Sequence, residues 1–287
     1  MKDYLHKANV LLEVLPYIKQ FHNCIVVIKI GGEPMITDEL KEFIAQDIVL
    51  MKYVGIKPVI VHGGGKQITD LMHKLGKKSV FIDGLRVTDK ETMDITEMVL
   101  TGMINKDLVG LINHHGGKAV GISGRDAHLI EASKIKVKKT DYGFVGEIKK
   151  INPTIIHSLI EQGFIPVISP VGMGEDGDAY NINADIASGE IASAIKALKL
   201  IMLTDVRGIY KGKGDKKKFL STITKKEIAS FIKQKIIQGG MLPKVKACLS
   251  ALQSGVSKTH IIDGKIPHSL LLEIFTEAGV GTEIINK

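Results

Sequence analysis

Short apolar runs alternate along the chain with segments in which apolar residues recur every three or four positions. In the first half this pattern predicts an amphipathic helix over residues 8–21, a buried strand over 24–32, a helix over 40–53 and a second buried strand over 59–61. Pro16 should kink the first helix. Residues 89–113 predict one long or two short helices, with Thr88 or Asp89 as the cap and Gly102 as a weak point.

The second half continues with the same alternation. Short strands and hairpins are predicted over residues 118–150, then a helix over 152–162, a strand over 164–169, a helix over 185–198 and a strand over 200–204. Helices near 224–237 and 242–254, a strand over 259–263 and a helix near 268–276 follow. Because strands alternate with helices, we predict right-handed crossovers and a mostly parallel sheet covered on both faces. Ligands in such folds bind beyond the carboxyl ends of the strands.

Residues 59–68, VIVHGGGKQI, predict a strand, a glycine loop and the start of a helix. Glycines let the backbone approach a ligand closely, and the N-terminus of the following helix offers free N–H groups to an anion. The loop therefore indicates a phosphate or carboxylate site. The alternative is a merely tight turn.

The composition narrows the class of protein. With 287 residues, 44% of them hydrophobic, the chain can build one large domain or two lobes with a full core. No apolar stretch reaches the length of a membrane span and the N-terminus lacks a signal-peptide pattern, so we expect a cytoplasmic protein without a membrane partner. Cys24 and Cys248 are expected to be reduced core thiols.

The net charge of +8 is unevenly placed, since residues 211–246 hold eleven lysines against Asp215 and Glu227. The sequence does not favour nucleic acid as a partner, because no recognition motif is present, tryptophan is absent and aromatic residues make up only 5%. A basic lobe that attracts a small polyanion such as ATP, or a solvated lysine surface, explains the charge better.

Two glycine patterns do not predict the sites that they superficially suggest. Gly172, Gly174 and Gly177 fit a dinucleotide-binding spacing, but the acidic residues between them would repel a pyrophosphate. The HGGG run lacks the nucleophile elbow that an esterase needs, and Gly65-Lys66 is not followed by the serine or threonine of a Walker A loop.

Six segments together carry a family resemblance. KIGG (29–32), VIVHGGG (59–65), GLRVTD (84–89), NINAD (181–185), LTDVRGIY (203–210) and GGMLPKV (239–245) resemble, in order and spacing, the acetylglutamate kinases of the amino-acid kinase family over nearly the whole chain. The resemblance implies an α/β fold, an open three-layer αβα sandwich around a mainly parallel sheet. It also implies an N-terminal lobe over 23–196 that binds N-acetyl-L-glutamate and carries a dimer contact, and a C-terminal lobe over 197–287 that binds ATP with Mg²⁺ and no dedicated protein metal site.

The resemblance assigns roles to individual residues. Lys29 would bind the transferring phosphoryl group, Lys244 would neutralise charge on the nucleotide side, and Asp185 would orient both lysines. Backbone N–H groups of Gly31, Gly32, Gly64 and Gly65 would donate to the phosphoryl oxygens. Acetylglutamate would be bound by Arg86, Asn181 and Asn183, together with Gly64 and Gly65. The acceptor is a carboxylate that is ionised at neutral pH, so no general base is required.

Three of these assignments have a structural alternative. Lys29 could snorkel at the strand end, Asp185 could be a helix N-cap, and Arg86 could form a surface ion pair. His62 is expected to pack or to orient the glycine loop. The sequence also departs from the family pattern at Glu33-Pro34, and at Arg125 and Ala127, where a lysine and a glycine are expected.

Residues 11–21 and 268–282 resemble the arginine-sensitive branch of the family, so residues 1–22 are expected to form a kinked N-terminal helix for oligomerisation and arginine sensing. This resemblance implies feedback inhibition by L-arginine and a hexamer built as a trimer of dimers, in which N-terminal helices are exchanged between copies; packing of the helix on its own sheet is the alternative. Candidate arginine ligands are Glu273, with His268, Lys199 and Tyr17. A kinase for carbamate, aspartate or a nucleoside monophosphate, and a catalytically inactive arginine sensor, are the rival functions.

Overall fold

The computed structural model describes residues 1–32, 35, 37–137, 140–212 and 218–286, except for the side chain of Asp3. Within them the chain forms ten α-helices: α1 Lys2–Phe21, α2 Asp38–Tyr53, α3 Gly65–Lys74, α4 Lys90–Glu97, α5 Asn105–His114, α6 Thr154–Glu161, α7 Ala184–Ala194, α8 Lys225–Lys233, α9 Met241–Gln253 and α10 Ser269–Phe275. A π-helical segment, Met98–Ile104, joins α4 to α5, and a short 3₁₀ turn spans Asp126–His128.

The described strands number sixteen. They are β1 Ile25–Ile30, β2 Lys57–His62, β3 Phe81–Ile82, β4 Leu85–Arg86, β5 Ala119–Ser123, β6 Ile130–Lys134, β7 Gly146–Ile151, β8 Ile165–Ser169, β9 Val171–Met173, β10 Ala179–Asn181, β11 Lys199–Thr204, β12 Ile209–Lys211, β13 Lys218–Leu220, β14 Thr222–Thr224, β15 Lys258–Asp263 and β16 Thr282–Ile285.

Eight strands form the central sheet in the order β14-β16-β15-β11-β1-β2-β8-β5. The six strands from β15 to β5 are mutually parallel, whereas β16 pairs antiparallel with β15 and β14 runs parallel to β16. A four-stranded sheet, β10-β9-β6-β7, lies apart from it, and β12-β13 and β3-β4 are two-stranded hairpins. The prediction of an α/β fold with a mainly parallel central sheet is confirmed.

The sheet is buried on both faces because successive side chains on each strand enter two different hydrophobic clusters. Ile28, Ile60 and Ile201 belong to the cluster that packs against α2, α5 and α10. Val27 and Leu200 belong to the cluster that packs against α6, α7, α8 and α9. The result is the three-layer αβα arrangement, which explains why these strands appear in the sequence as continuous apolar runs.

Several sequence predictions need correction. Helix α1 begins at Lys2 rather than at residue 8 and includes Pro16. The segment predicted as strands and hairpins is divided, because β5 joins the central sheet in parallel with β8, whereas β6 and β7 pair antiparallel. Gly102 does not break the helix but lies within the π-helical segment. Of the two candidate caps for α4, Asp89 is used, since its carboxylate accepts a hydrogen bond from Thr92 N.

The predicted lobe boundary at residue 196 falls in the turn between α7 and β11, and the central sheet continues across it. Among the described helices, none combines the length and the apolar character that a bilayer crossing demands.

Candidate active site

The carboxyl ends of β1, β2 and β11 lie side by side, because these three parallel strands are neighbours in the sheet. Lys29 lies near the end of β1, and Gly31 and Gly32 follow it. Strand β2 ends at His62 before the second glycine turn, and β11 ends at Thr204. The topology therefore brings the two glycine turns together at one edge of the sheet, where ligands bind in this class of fold.

Asp185 bridges the two lysines that the sequence singled out. Lys29 Nζ lies 2.7 Å from Asp185 Oδ1 as an ion pair, and Lys244 Nζ donates a hydrogen bond of 3.0 Å to Asp185 Oδ2. The three side chains come from β1, from the first turn of α7 and from the first turn of α9. Lys29 and Asp185 are each only 6% exposed, so Lys29 does not snorkel into solvent. One buried carboxylate thus holds two ammonium groups at fixed positions.

The pKa values of this group reflect competition between burial and charge. Burial lowers the pKa of Lys29, and the nearby charge of Asp185 opposes that shift only in part. Burial alone would raise the pKa of Asp185, but the charges of Lys29 and Lys244 outweigh it, so the pKa stays below its ordinary value. Asp185 is therefore ionised at neutral pH. An ionised aspartate between two cations leaves the group with a net positive charge, which suits an anionic ligand.

Gly31 leaves space for the Lys29 side chain, and Gly32 forms the turn that follows β1. A Cβ on Gly31 would collide with Lys29 Nζ and lie 3.1 Å from Lys29 Cε, so a larger residue would displace the ammonium group from its contact with Asp185. Gly32 has a φ of +77°, a conformation that glycine adopts without strain. It also lies against Asp205, whose charge acts on Lys29. The sequence predicts that Thr204-Asp205 lies with the other candidate segments at the carboxyl ends of the strands, and the structure confirms this position, but sequence reasoning assigned Asp205 no role of its own.

The second glycine turn opens helix α3. Gly64 is the N-cap residue and supplies no side-chain bond to the free N–H groups of the first turn. A Cβ on Gly64 would lie 2.8 Å from Leu100 Cδ2 and still closer to Ile104, so the turn packs directly on the π-helical segment. A Cβ on Gly65 would meet no heavy atom within 4 Å, so this residue faces open space. The N–H of Gly63 donates to Ile30 O at 2.8 Å, whereas the N–H groups of Gly64 and Gly65 have no acceptor among the described residues and are available to an anion.

Arg86 lies beside this turn and is buried, so the alternative of a surface ion pair is wrong. Its Nη2 donates to Gly65 O at 2.7 Å and to Thr69 Oγ1 at 2.9 Å, its Nη1 donates to Ser79 Oγ at 2.6 Å, and the guanidinium stacks on Phe81. Burial lowers its pKa. Within the described part of the chain, no carboxylate lies within 4.0 Å of Arg86. Its charge is therefore free to meet a carboxylate from a ligand.

Asn181 and Asn183 line a cavity of about 190 Å³ together with Arg86 and the second glycine turn. Asn181 Nδ2 donates to Thr88 Oγ1 at 3.3 Å. Asn183 Oδ1 accepts from the backbone N–H groups of Asp185 and Ile186 and is the N-cap of α7. The cap that sequence reasoning allowed for Asp185 therefore belongs to Asn183, and Asp185 is left for the two lysines.

His62 lies directly before the glycine turn and is fully buried. Burial lowers its pKa to about 4, although its contact with Gly63 O opposes the shift. It is therefore neutral at physiological pH and lies within the protein interior, as expected for a residue that orients the loop. The sequence did not predict a role for its neighbour Asn105, at the start of α5, because a lone asparagine at the end of an apolar run forms no recognisable motif.

A second cleft, of about 340 Å³, opens at the amino ends of β11 and β15. It includes Tyr17 and Phe21 from α1, Lys199, and Glu273 from α10. Glu273 accepts hydrogen bonds from His260 Nδ1 at 2.6 Å and from the N–H groups of Val280 and Gly281. Although burial raises the pKa of Glu273, these three donors outweigh it, so the pKa lies below its ordinary value. The structure thus brings three of the four candidate arginine ligands together.

His268 does not line this cleft. It begins α10 with a left-handed φ of 55°, and its Nδ1 lies 2.6 Å from Oδ1 of the buried Asp47 on α2. Burial raises the pKa of Asp47 to about 6, despite the opposing effect of His268. His268 therefore joins α10 to α2, and it lies outside the cleft to which the family resemblance had assigned it.

Two departures from the family pattern have different outcomes. Glu33 and Pro34 lie outside the described residues. Arg125 Nη1 contacts Glu97 Oε1 at 2.6 Å, and Ala127 has a φ of 50°. That left-handed backbone conformation costs an alanine about 1 kcal/mol or more, which explains why a glycine is expected there.

No group of three or more His, Cys, Asp or Glu side chains in the described ranges is arranged to hold a metal ion. Asp185, the carboxylate at the centre of the site, is engaged by Lys29 and Lys244. A metal ion that accompanies a nucleotide would therefore be held mainly by the phosphates of that nucleotide.

Comparison with known proteins identifies the family to which the chain is similar. A model of the amino acid kinase family matches residues 25–263. An acetylglutamate kinase of Syntrophus aciditrophicus is 54% identical over 97% of both chains, and one of Heliobacterium modesticaldum is 51% identical over 99% of this chain and all of that protein.

Solved structures agree on the fold. An N-acetylglutamate synthase from Neisseria gonorrhoeae has a TM-score of 0.85 at 24% identity and covers 98% of this chain, which spans 63% of that longer protein. A Giardia carbamate kinase has a TM-score of 0.69 at 18% identity and covers 92% of this chain and 99% of its own.

Proposed function

The chain belongs to the amino acid kinase family and within it to the acetylglutamate kinases, and on that premise we propose that it transfers the γ-phosphoryl group of ATP to the γ-carboxylate of N-acetyl-L-glutamate. As an acetylglutamate kinase it phosphorylates N-acetylglutamate in arginine biosynthesis. The proposal concerns the acceptor atom, the roles of individual residues and the regulation.

One observation carries the mechanism: Asp185 holds Lys29 and Lys244 within 2.7 Å and 3.0 Å of its two oxygens, beside two glycine turns. Phosphoryl transfer requires in-line positioning and neutralisation of charge on the transferring group rather than proton removal. A carboxylate oxygen of the acceptor forms a bond to the γ-phosphorus while the bond to the bridging oxygen of ADP breaks. The products are an acyl phosphate and ADP, and no proton changes place.

Each side chain has a separate task in this scheme. Lys29 stabilises the transferring phosphoryl group, and Lys244 stabilises the negative charge that builds on the departing ADP. Asp185 is a positioning residue for both. N–H groups at Gly31, Gly32, Gly64 and Gly65 donate to phosphoryl oxygens, because donors fixed in advance cost no reorganisation during the reaction.

Substrate binding uses the cavity beside the second glycine turn. Arg86 binds the α-carboxylate of acetylglutamate by exchanging its present hydroxyl acceptors, Ser79 and Thr69, for the two carboxylate oxygens, since a guanidinium binds a carboxylate through two parallel hydrogen bonds. Asn181 and Asn183 hold the rest of the substrate. The C-terminal lobe binds ATP, with Mg²⁺ on its phosphates, and when bound the ion supplies further neutralisation of phosphate charge.

An acceptor panel tests this function. ADP release is measured with ATP and, in turn, acetylglutamate, carbamate, aspartate and a nucleoside monophosphate. Hydroxylamine in the same reaction converts an acyl phosphate to a hydroxamate. We expect rapid ADP release and hydroxamate only with acetylglutamate. Faster turnover with another acceptor, or none with acetylglutamate, contradicts the proposal.

We also propose that L-arginine binds in the cleft between α1 and α10 and inhibits the enzyme. The cleft supplies a cation, Lys199, for the carboxylate of an amino acid and a carboxylate, Glu273, for a guanidinium. Tyr17 contributes from α1, which would make binding sensitive to the position of that helix. By linkage, substrates must weaken arginine binding as much as arginine weakens theirs.

The exposed apolar face of α1 supports exchange of this helix between copies in a hexamer. Tyr4, Leu5, Leu11 and Leu12 are between 59% and 74% exposed, which is unusual for an amphipathic helix that packs on its own domain. Removal of residues 1–22 should give an active dimer that does not respond to arginine. A truncated protein that remains hexameric and fully inhibited contradicts both parts of this proposal.

A further inference from the structure

The π-helical segment Met98–Ile104 packs against the second glycine turn at Gly64. A π-helical turn contains one more residue than an α-helical turn, and such segments occur often beside functional sites. Here Leu100 and Ile104 occupy the space that a side chain on Gly64 would need. The next residue, Asn105, lies against the central sheet, where its side chain contacts His62, the residue directly before the glycine turn.

Asn105 is buried and contacts three strands of the central sheet, β2, β8 and β5. Its Nδ2 donates to Val167 O of β8 at 2.9 Å and lies 3.3 Å from His62 Nε2 of β2 and 3.4 Å from Ile122 O of β5. Two backbone carbonyls face Nδ2, and Lys106 Nζ lies 3.2 Å from Oδ1, so the orientation of the amide is fixed by its partners. Gly121 lacks the side chain that would collide with it.

This arrangement also fixes the tautomer of His62. Gly63 O, 3.1 Å from His62 Nδ1, can only accept a hydrogen bond, so Nδ1 must carry the hydrogen. Nε2 is then the acceptor for one of the two hydrogens on Asn105 Nδ2, the other goes to Val167 O, and the 3.4 Å contact with Ile122 O is the longest of the three. The lowered pKa of His62 keeps the ring neutral, which this pattern requires. A directed relay thus runs from Asn105 through His62 to the backbone of the glycine turn.

We propose that Asn105 is a positioning residue, which fixes the N–H donors of the second glycine turn through His62 and with the support of the π-helical segment. The proposal rests on the phosphoryl-transfer function above, because those donors act on the transferring group. It goes beyond packing, since it predicts that the donor atom of Asn105 and the Nδ1 hydrogen of His62 matter separately.

The test compares Asn105→Ala with Asn113→Ala. Asn113 lies on the same helix and also bonds β5 through its side chain, with Oδ1 2.6 Å from Ala119 N, but at the opposite end of the strand. We expect Asn105→Ala to lower kcat on the order of 100-fold with KM for both substrates changed less than about threefold, because small misplacements near reacting groups are costly. Asn113→Ala should retain kcat within about twofold. Equal losses in both variants overturn the proposal.

Two further measurements keep the inference testable if Asn105→Ala does not fold. His62→Asn retains a donor where Nδ1 lies and His62→Gln places its amide where Nε2 lies, so His62→Asn should retain about tenfold more turnover. Equal turnover overturns the relay. Nitrogen NMR of the unmodified protein should show the hydrogen on Nδ1, and a hydrogen on Nε2 overturns it as well. This spectrum can be recorded whether or not the enzyme turns over acetylglutamate. Absence of turnover would therefore refute the proposed function, whereas the spectrum tests the hydrogen-bond relay by itself.

Discussion

Two buried lysines on neighbouring strands of the central sheet differ in how their charge is balanced. Lys29, near the carboxyl end of β1, lies 2.7 Å from Asp185. Lys199, at the amino end of β11, lies 3.4 Å from His260 Nε2 and over the ring of Phe21, and no described carboxylate comes within 4.0 Å of it. Burial lowers the pKa of both, and for Lys199 the charge of Lys258 adds to the effect.

The difference separates two uses of a buried cation. A lysine held by a carboxylate of the protein has a fixed position and can act on charge that develops during a reaction. A cation without such a partner, such as Lys199 or Arg86, has its charge available for the carboxylate of a ligand. Substitutions at these positions and at related ones test this distinction.

The largest effect is expected from Lys29→Met, with Lys199→Met as its counterpart. Lys29→Met, and likewise Lys244→Met, should lower kcat by roughly 100- to 1000-fold, because loss of one preorganised donor costs that much. Lys199→Met should leave kcat unchanged without arginine and abolish inhibition by it. Steady-state rates and thermal melting of the folded variants are the measurements. Near-normal turnover of Lys29→Met would remove that residue from the mechanism.

Arg86→Ala should raise KM for acetylglutamate by about 10- to 100-fold, since a hydrogen-bonded charge contributes roughly 1.5 to 3 kcal/mol. KM for ATP should remain nearly constant, because uniform binding of one substrate is lost. Arg86→Lys keeps the charge without the planar fork and is the matched control. If ATP binding weakened instead, the assignment of the two substrates to their lobes would be reversed.

Gly189→Ala tests the spacing of the helices that carry Asp185 and Lys244. A Cβ on Gly189 of α7 would lie 2.9 Å from the backbone oxygen of Ala247 on α9, so the helices must separate. We expect kcat to fall on the order of tenfold. Gly110→Ala is the control, because its Cβ would meet no heavy atom within 4 Å and alanine favours a helix by about 1 kcal/mol. Similar kinetics in the two variants would contradict the expectation.

The smallest effect concerns a second buried carboxylate, Asp47, which has one histidine where Asp185 has two lysines. Its pKa is raised from 3.8 to about 6 by burial, so the native state binds the proton more tightly than the unfolded chain does. Its protonation therefore stabilises the fold fully below about pH 4, and this contribution is lost as the pH rises through about 6.

Asp47→Asn should accordingly raise the free energy of unfolding at pH 7.5 by roughly 1 kcal/mol, since one pKa unit corresponds to about 1.4 kcal/mol and the loss of the contact with His268 offsets part of the gain. The advantage should shrink as the pH falls toward 5. Denaturant unfolding of both proteins at the two pH values measures it. If the stability difference between Asp47→Asn and the unmodified protein grew toward pH 5, the pKa of Asp47 would be lowered in the native state rather than raised.

The sequence predicted the strands of the central sheet well, because strands buried on both faces appear as continuous apolar runs. The motifs of the family resemblance also singled out Lys29, Asp185 and Lys244, and the structure brings these three side chains together. It missed β14 and β16, whose short segments mix polar and apolar residues at the sheet edge. The π-helical segment was missed for a different reason, because one extra residue in a helical turn barely alters the apolar spacing.

The remaining misses depend on tertiary neighbours. Asn183 and Asp185 are two positions apart and either can cap a helix, so only the position of Lys244 on a distant helix decides between them. Glu273 of α10 contacts His260 of β15, whereas His268, which is closer to Glu273 in sequence, contacts Asp47 of α2. Sequence proximity was thus a poor guide wherever the partner came from a different element.

The exposed apolar residues of α1 also bear on how the stability of this protein is defined. If other copies cover Leu5, Leu11 and Leu12, their burial contributes to folding only while the copies are associated. The melting temperature then rises with protein concentration by mass action. Stability measured in a dilute sample and stability at high concentration would be two different quantities, belonging to the solution rather than to the single chain.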